Sequence, residues 1–306
     1  MTWFGVGAGA EATTWAKRIT SKGEIAPGWP SEGRSVADQD SPWASVSAVA
    51  DGHGGAFFSW MTQTPGDSTG TVRARHLPSD GTFPGAAVSY DAGTASMAWP
   101  SLCEDGAGAA FLAWTHDSTG VNRIGLVRLS PTAGPAAGWP PATVQVGGTR
   151  REYLVRVVAD GQGGAYLLTL SFAVPRVDLF LYRVDAAGTS TGWPDTGNVV
   201  RRGAGQSPAY SMVASGDGVI VTWWDNSSGQ ADVFAQRYTG SGAVASGWPA
   251  GGVLVCGEPH NQVNPLAVPD GADGASRAVA RRPQREPRPV RHADPRIWTA
   301  SCRLAS

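Results

Sequence analysis

The sequence predicts an all-β protein made of many short antiparallel strands. Three observations support this fold class: the composition, an internal repeat, and the number of β-like runs in each repeat. The 306 residues include 41 Gly, 22 Pro and 13 Trp, which favours tight turns between short strands. A hydrophobic content of 42% with a net charge of −1 excludes a disordered chain.

The internal repeat has a period of about 55 residues and is marked by three independent landmarks. Gly-rich turns of the Asp-Gly-x-Gly type begin at Asp51, Asp105, Asp160, Ser215 and Asp270. An aromatic residue precedes proline at Trp29, Phe83, Trp139, Trp193 and Trp248. An arginine lies within an apolar run at Arg18, Arg75, Arg128, Arg183 and Arg237. Because the landmarks keep one period, the repeat is a structural unit.

Each repeat contains four β-like runs, most clearly in the fourth copy. These runs are Tyr210–Ala214, Val219–Trp224, Asp232–Tyr238 and Gly252–Cys256. The Gly-rich turn joins the first two runs, as in a tight hairpin. The first run has small side chains, as in Ala44–Val49, and the second is bulky on both faces, as in Ala56–Trp60. Small innermost strands and a doubly buried second strand predict the blades of a β-propeller.

The repeats predict a single propeller domain over residues 1–274, most simply with five blades. Four complete repeats lie near residues 38–95, 96–149, 150–204 and 205–260. End strands within residues 14–37 and 262–279 supply a fifth blade composed from both termini, which would close the ring and remove open sheet edges. The alternative is a fragment of a larger ring.

Residues 277–306 form an Arg- and Pro-rich tail that departs from the repeat. Between Arg277 and Arg303 there are eight Arg and two acids, Glu286 and Asp294. Two interpretations remain open: a poorly ordered solvated tail, or a reading frame that has slipped in a GC-rich gene. A nucleic-acid-binding arm is disfavoured, because Trp298 is the only aromatic residue among these arginines.

The segment Thr222–Arg237 reads TWWDNSSGQADVFAQR and resembles a repeat of β-propellers in large bacterial secreted and cell-surface proteins. In those repeats a W-x-D loop leads to a D-[IV]-[FY]-x-Q-R strand and then to a Trp-Pro turn. The resemblance implies a spacer, an adhesive module or a ligand-binding domain outside the cell. No secretory signal is visible in this chain, and no run of about 18 apolar residues predicts a membrane helix.

Residues that recur in every copy are assigned to structure, because equivalent positions meet equivalent structural demands. The set comprises Asp51, Asp105, Asp160 and Asp270 of the turns with Trp29, Trp139, Trp193 and Trp248. Each turn supplies one carboxylate, which is too few for a calcium site. The five histidines and three cysteines are dispersed without metal-ligand spacing, so we predict no metal and no cofactor.

Irregular residues are the better ligand-binding candidates, and we select Glu152, Tyr153, Glu258 and His260. Glu152 interrupts a first strand that is otherwise small and apolar, although one charge at a strand rim is usually solvated. We therefore expect a non-enzymatic binding or structural module whose ligand, a protein or a glycan, contacts the loops of one face. Two alternatives stay open: a lectin with sugar sites at the Trp-Pro indoles, and a five-bladed glycoside hydrolase-like enzyme with paired carboxylates.

Overall fold

A computed structural model describes residues 2–6, 12–37, 46–63, 69–94, 98–118, 121–173, 176–203, 210–257, 259–270 and 274–281. The described residues form β-strands, turns and loops, with no helix among them. Accordingly, this part of the chain has no helix long and apolar enough to span a membrane.

The strands of the described ranges form six sheets, numbered here in chain order. Sheet 1 contains β1 (Thr2–Val6), β2 (Ala12–Ala16) and β3 (Arg34–Ser35). Sheet 2 contains β4 (Ser47–Ala50), β5 (Ala56–Gln63), β6 (Gly70–Leu77) and β7 (Val88–Asp91). Sheet 3 contains β8 (Ser101–Glu104), β9 (Ala110–Ser118), β10 (Val121–Leu129) and β11 (Val144–Gly147).

The remaining sheets follow the same plan. Sheet 4 contains β12 (Glu152–Ala159), β13 (Ala165–Ala173), β14 (Arg176–Val184) and β15 (Asn198–Arg201). Sheet 5 contains β16 (Tyr210–Ser215), β17 (Gly218–Asp225), β18 (Asp232–Tyr238) and β19 (Val253–Cys256). Sheet 6 contains β20 (Gln262–Pro269) and β21 (Ala275–Arg281).

Sheets 2 to 5 are four-stranded, and in each the strands lie side by side in chain order, which is the plan of a propeller blade. The predicted all-β propeller fold is thereby confirmed. The strands of the fourth repeat match their predicted bounds to within one or two residues. Sheet 1 also contains β1, which pairs with β2 and lies before residues 14–37, where we predicted end strands.

The second strand of each complete sheet supplies much of the core, as its apolar residues predict. Phe57, Trp60, Phe111 and Trp114 are all fully buried. In β17 every residue from Gly218 to Trp224 is buried. Burial of both faces explains why these runs do not alternate between apolar and polar residues.

In the Gly-rich turns that begin with Asp, this residue holds the hairpin together. Asp105 Oδ1 accepts hydrogen bonds from the amides of Ala107 (2.8 Å) and Ala109 (2.9 Å). Its other oxygen accepts from Arg128 Nε at 2.9 Å. Asp160 repeats this arrangement with Arg183. One carboxylate therefore satisfies two turn amides and joins the first hairpin to the third strand.

Sheet 2 departs from this pattern by one residue. His76 Nε2 lies 2.8 Å from Asp51 Oδ2, and His76 pairs with Phe57 just as Arg128 pairs with Phe111. Arg75, the periodic arginine of this copy, instead lies over the Phe83 ring at 3.6 Å from its centroid. The histidine thus occupies the position that arginine occupies in sheets 3 and 4.

The chain comprises two compact units. The first contains residues 1–169 with 182–197, and the second contains residues 170–181 with 198–306. In the first unit, the innermost strands β4, β8 and β12 are successive neighbours. In the second unit, β16 neighbours β20. Closure of a ring by both termini remains a prediction.

Candidate functional site

Three innermost strands, β8, β12 and β20, share a backbone bend at or just before the end where each strand begins. This end is called here the leading end. Trp99, Leu154 and Asn264 have φ angles of 38°, 50° and 55°, the left-handed region that favours glycine. Each lies six residues before the turn Asp of its own copy. A positive φ angle within a strand changes the direction of the neighbouring side chains, as a β-bulge does. The residue two positions before the bend is Glu152 in β12 and Gln262 in β20, and both are fully buried.

Glu152 lies at the centre of a polar group within the first unit, called here the Glu152 cluster: Arg150, Glu152, Thr169 and Tyr182. The Tyr182 hydroxyl donates to Glu152 Oε1 at 2.6 Å, and the Thr169 hydroxyl donates to Oε2. Arg150 Nη1 lies 3.5 Å from Oε1 and donates to the carbonyl of Thr196 at 2.7 Å. Both carboxyl oxygens are therefore hydrogen-bonded, and the cluster is a buried carboxyl held in one orientation.

The cluster exists because sheet 4 lacks a tryptophan that the other complete sheets have. At the equivalent position of the second strand, sheets 2, 3 and 5 carry Trp60, Trp114 and Trp223, whereas sheet 4 carries Thr169. The three indoles are buried. Replacing an indole by a small hydroxyl side chain leaves room for a carboxyl group and provides it with a hydrogen-bond donor.

Burial raises the pKa of Glu152, even though hydrogen bonds from Thr169 and Tyr182 and the charge of Arg150 act in the opposite direction. Burial, together with the adjacent Glu152 carboxylate, also raises the pKa of the Tyr182 hydroxyl. The protein therefore favours the neutral acid at Glu152 more than water does. A desolvated carboxyl of this kind keeps its proton to higher pH than a solvated one does, as a general acid requires.

Two further acids of the first unit lie at the same end of the sheets. Asp91 ends β7 and has an exposed carboxylate, with Oδ2 lying 3.5 Å from Nε2 of His116. Asp117 follows His116 in β9, and its amide donates to the carbonyl of Ala92. His116 pairs across the sheet with Arg123, whose side chain packs against Gly148. A chain of contacts thus leads from Asp91 toward the backbone just before Glu152.

The four ligand-binding candidates have different surroundings. Glu152 is fully buried rather than solvated, and the adjacent Tyr153 is half-buried. His260 belongs to the second unit, where it is exposed and its amide donates to Gln230 Oε1 at 3.2 Å. Glu258 lies outside the described residues. Sequence reasoning missed Arg150, Thr169 and Tyr182, although the break in the tryptophan pattern at Thr169 was a readable signal.

The Trp-Pro indoles differ in exposure. Trp139 is 5% exposed and contacts the ring of Phe111 edge-on, and Trp193 is 6% exposed and contacts Tyr166 in the same way. Trp29 and Trp248 are half-buried. Equivalent sugar sites at all four indoles are therefore excluded, because two of the rings have no free face.

No protein-family model and no curated protein sequence matches the chain. Among solved structures, an endo-arabinase from Bacteroides thetaiotaomicron VPI-5482 is similar at 12% identity, over 75% of this chain and 86% of that one, with a TM-score of 0.39. An exo-1,5-α-L-arabinanase from a bovine ruminal metagenomic library is similar at 12% identity, over 85% of this chain and 93% of that one, with a TM-score of 0.37. An acylaminoacyl peptidase from Pyrococcus horikoshii is similar at 10% identity, over 79% of this chain and 36% of that one, with a TM-score of 0.41.

The structure corrects the predicted non-enzymatic binding or structural module. That prediction depended on treating Glu152 as a solvated charge at a strand rim. Its complete burial in a hydrogen-bonded cluster removes that premise.

Proposed function

We propose that this protein is a carbohydrate-active enzyme that hydrolyses a glycosidic bond, with Glu152 as the proton-donating acid. The observation that carries the proposal is a fully buried carboxyl with a raised pKa at the leading end of an innermost strand. Glycoside hydrolysis needs an acid that stays protonated near neutral pH beside a second carboxylate that stays ionised. Sheet 4 departs from the repeat pattern at the position that provides the first of these groups.

Arg150 is the member of the Glu152 cluster through which a substrate reaches the acid. Its side chain is 23% exposed, whereas Glu152, Thr169 and Tyr182 are buried. The guanidinium is held by the carbonyl of Thr196 and lies beside the carboxyl group. A sugar hydroxyl that accepts a hydrogen bond from Arg150 would draw this side chain aside and expose Glu152 to the glycosidic oxygen.

Asp91 is our choice for the second carboxylate. It is exposed, faces His116, and lies on the contact chain that leads to the segment before Glu152. In the reaction, Glu152 donates its proton to the leaving-group oxygen as the glycosidic bond breaks. Asp91 takes a proton from the water that attacks the anomeric carbon, or attacks that carbon itself. We place this activity outside the cell, where polysaccharide substrates occur.

The test measures reducing-sugar release by the full chain from arabinan, galactan, xylan and pectic polysaccharides. Removing a general acid lowers turnover by about 100-fold or more, so we expect Glu152→Gln to lose that much. Glu104→Gln is the matched control, because Glu104 is an exposed acid on the neighbouring innermost strand β8. The Glu152→Gln variant should also lack the decline in activity at high pH that the wild-type pH profile shows.

Two results would overturn the proposal. One is the absence of sugar release from every polymer with a wild-type protein shown by circular dichroism to be folded. The other is a Glu152→Gln variant as active as the Glu104→Gln control.

A further inference from the structure

A cavity of the first unit lies between sheets 1 and 2, at the turn end of β4 and β5, away from the leading end. Its volume is about 290 Å³, at the small end of ligand pockets. The floor is apolar and includes Val49, Phe58 and Leu77. The polar wall is provided by Lys17, Arg18 and Trp29. No acidic side chain lines this cavity, so its described wall is cationic and partly aromatic.

Arg18 differs in what it binds from Arg128, Arg183 and Arg237, which form ion pairs with Asp residues. The residue after it, Ile19, bridges Ile25, as Leu129 after Arg128 bridges Pro135. Arg18 and Arg128 thus occupy equivalent positions, and Arg128 forms an ion pair with Asp105. Among the described residues Arg18 forms no ion pair, and its Nη1 donates to the carbonyl of Ser79 at 3.1 Å. Most of its guanidinium donors therefore remain available to an anion.

The surroundings hold Arg18 in place over the cavity. A Cβ atom at Gly54 would lie 2.8 Å from Arg18 Nη2, so the guanidinium rests directly on this glycine backbone. The nearest turn carboxylate, Asp51, is bound to His76 and to the amides of His53 and Gly55. The Asp51 carboxylate is buried and hydrogen-bonded to those partners, so it forms no ion pair with Arg18.

Trp29 adds a flat surface beside this cation. Its indole is half-buried, and Nε1 donates to the same Ser79 carbonyl at 3.3 Å, which fixes the ring orientation. We propose that the cavity binds a uronic acid residue, with the carboxylate on Arg18 and the apolar ring face against Trp29. A planar carboxylate matches the guanidinium fork, and the small volume suits one sugar ring. The site is distinct from the Glu152 cluster and does not depend on it.

The test is isothermal titration of the full chain with methyl glucuronide and methyl galacturonide, with methyl glucoside as the neutral comparison. We expect the uronides to bind at least about tenfold more tightly than the glucoside. Arg18→Ala should lose this preference, and Arg18→Lys should recover part of it because the charge remains. Arg156→Ala is the control, because Arg156 is an exposed arginine of the same unit. Glu152→Gln should bind like the wild type.

Three outcomes overturn the proposal. They are equal affinity for glucuronide and glucoside, no uronide binding up to millimolar concentration, and an Arg18→Ala variant that binds like Arg156→Ala. An acetylated dipeptide with a free carboxylate is titrated in parallel. If it competes more strongly than the uronides, the cavity is a peptide-terminus site instead. Circular dichroism of each variant separates loss of binding from loss of fold.

Discussion

At the scale of single residues, the environment of Glu152 determines its chemistry. The sequence identified this residue as an interruption of a small apolar strand. It did not predict the burial, because the bend at Leu154 and the room left by Thr169 depend on tertiary packing. The predicted roles of the turn Asp residues needed less information, because a carboxylate two and four residues before a free amide is a local geometry.

The raised pKa of Glu152 predicts how stability depends on pH. The folded state holds its proton above the ordinary value of 4.5. Its stabilising contribution is therefore complete below that value and is lost as pH rises through the raised pKa. We expect the unfolding free energy of the wild type, minus that of Glu152→Gln, to decrease as pH rises from the ordinary value toward neutrality. Chemical denaturation at several pH values measures this difference.

The comparison with Glu104→Gln isolates the effect, since that variant removes an exposed acid. Asp105 and Asp225 act in the opposite sense. Burial would raise the pKa of each, but hydrogen bonds and charge from Arg128 and Arg201 hold it below the ordinary value. Their contributions are lost only as pH falls through those lowered values. A difference that grows with pH would contradict the raised pKa of Glu152.

At the scale of strands, the periodicity of the sequence was sufficient to place most hairpins. It misplaced one arginine in sheet 2, because a period cannot resolve a register difference of one residue between Arg75 and His76. It also missed β1, which reads TWFGV and lies before the first landmark of the repeat, Arg18. In sheet 2, cross-strand packing rather than local propensity determines which residue of β6 contacts the turn Asp.

Sheet 3 allows a direct test of such packing. Gly125 pairs with Trp114 across the sheet, and a Cβ atom at Gly125 would lie 2.5 Å from the indole ring. Gly125→Ala should destabilise the protein by about 1–3 kcal/mol, because the buried indole has no space to shift into. The measurement is the denaturation midpoint, with Gly134→Ala as the control, since a Cβ there meets nothing nearer than 3.9 Å.

If Gly125→Ala unfolds at the same denaturant concentration as Gly134→Ala, the packing of Trp114 is looser than the structure indicates. The control itself should change stability by less than about 0.5 kcal/mol.

At the scale of the whole molecule, the number of complete sheets was predictable from the repeat, whereas the candidate active site was not. Four full copies give four complete sheets because each copy contains its own hairpins. The site depends on which copy departs from the common pattern and on what replaces the missing indole. Ring closure and the extent of the propeller domain remain predictions.

The Glu152 cluster should lower stability relative to an apolar core. Replacing a buried hydrogen-bonded group and its partners by apolar residues of similar shape is nearly neutral or stabilising. We expect the triple variant Glu152→Leu, Thr169→Val, Tyr182→Phe to melt at or above the wild-type temperature while losing sugar hydrolysis. Differential scanning calorimetry provides the measurement. A clear drop in melting temperature would identify the cluster as a structural element instead.

The bend in the innermost strands has a consequence for the history of the molecule. Three copies share it at the same position, as expected if gene duplication transmitted the backbone before the side chains diverged. Two of these copies have a fully buried polar side chain two residues earlier, a carboxyl in Glu152 and an amide in Gln262. If duplication set the backbone first, few mutations at this position would be needed to produce a new activity.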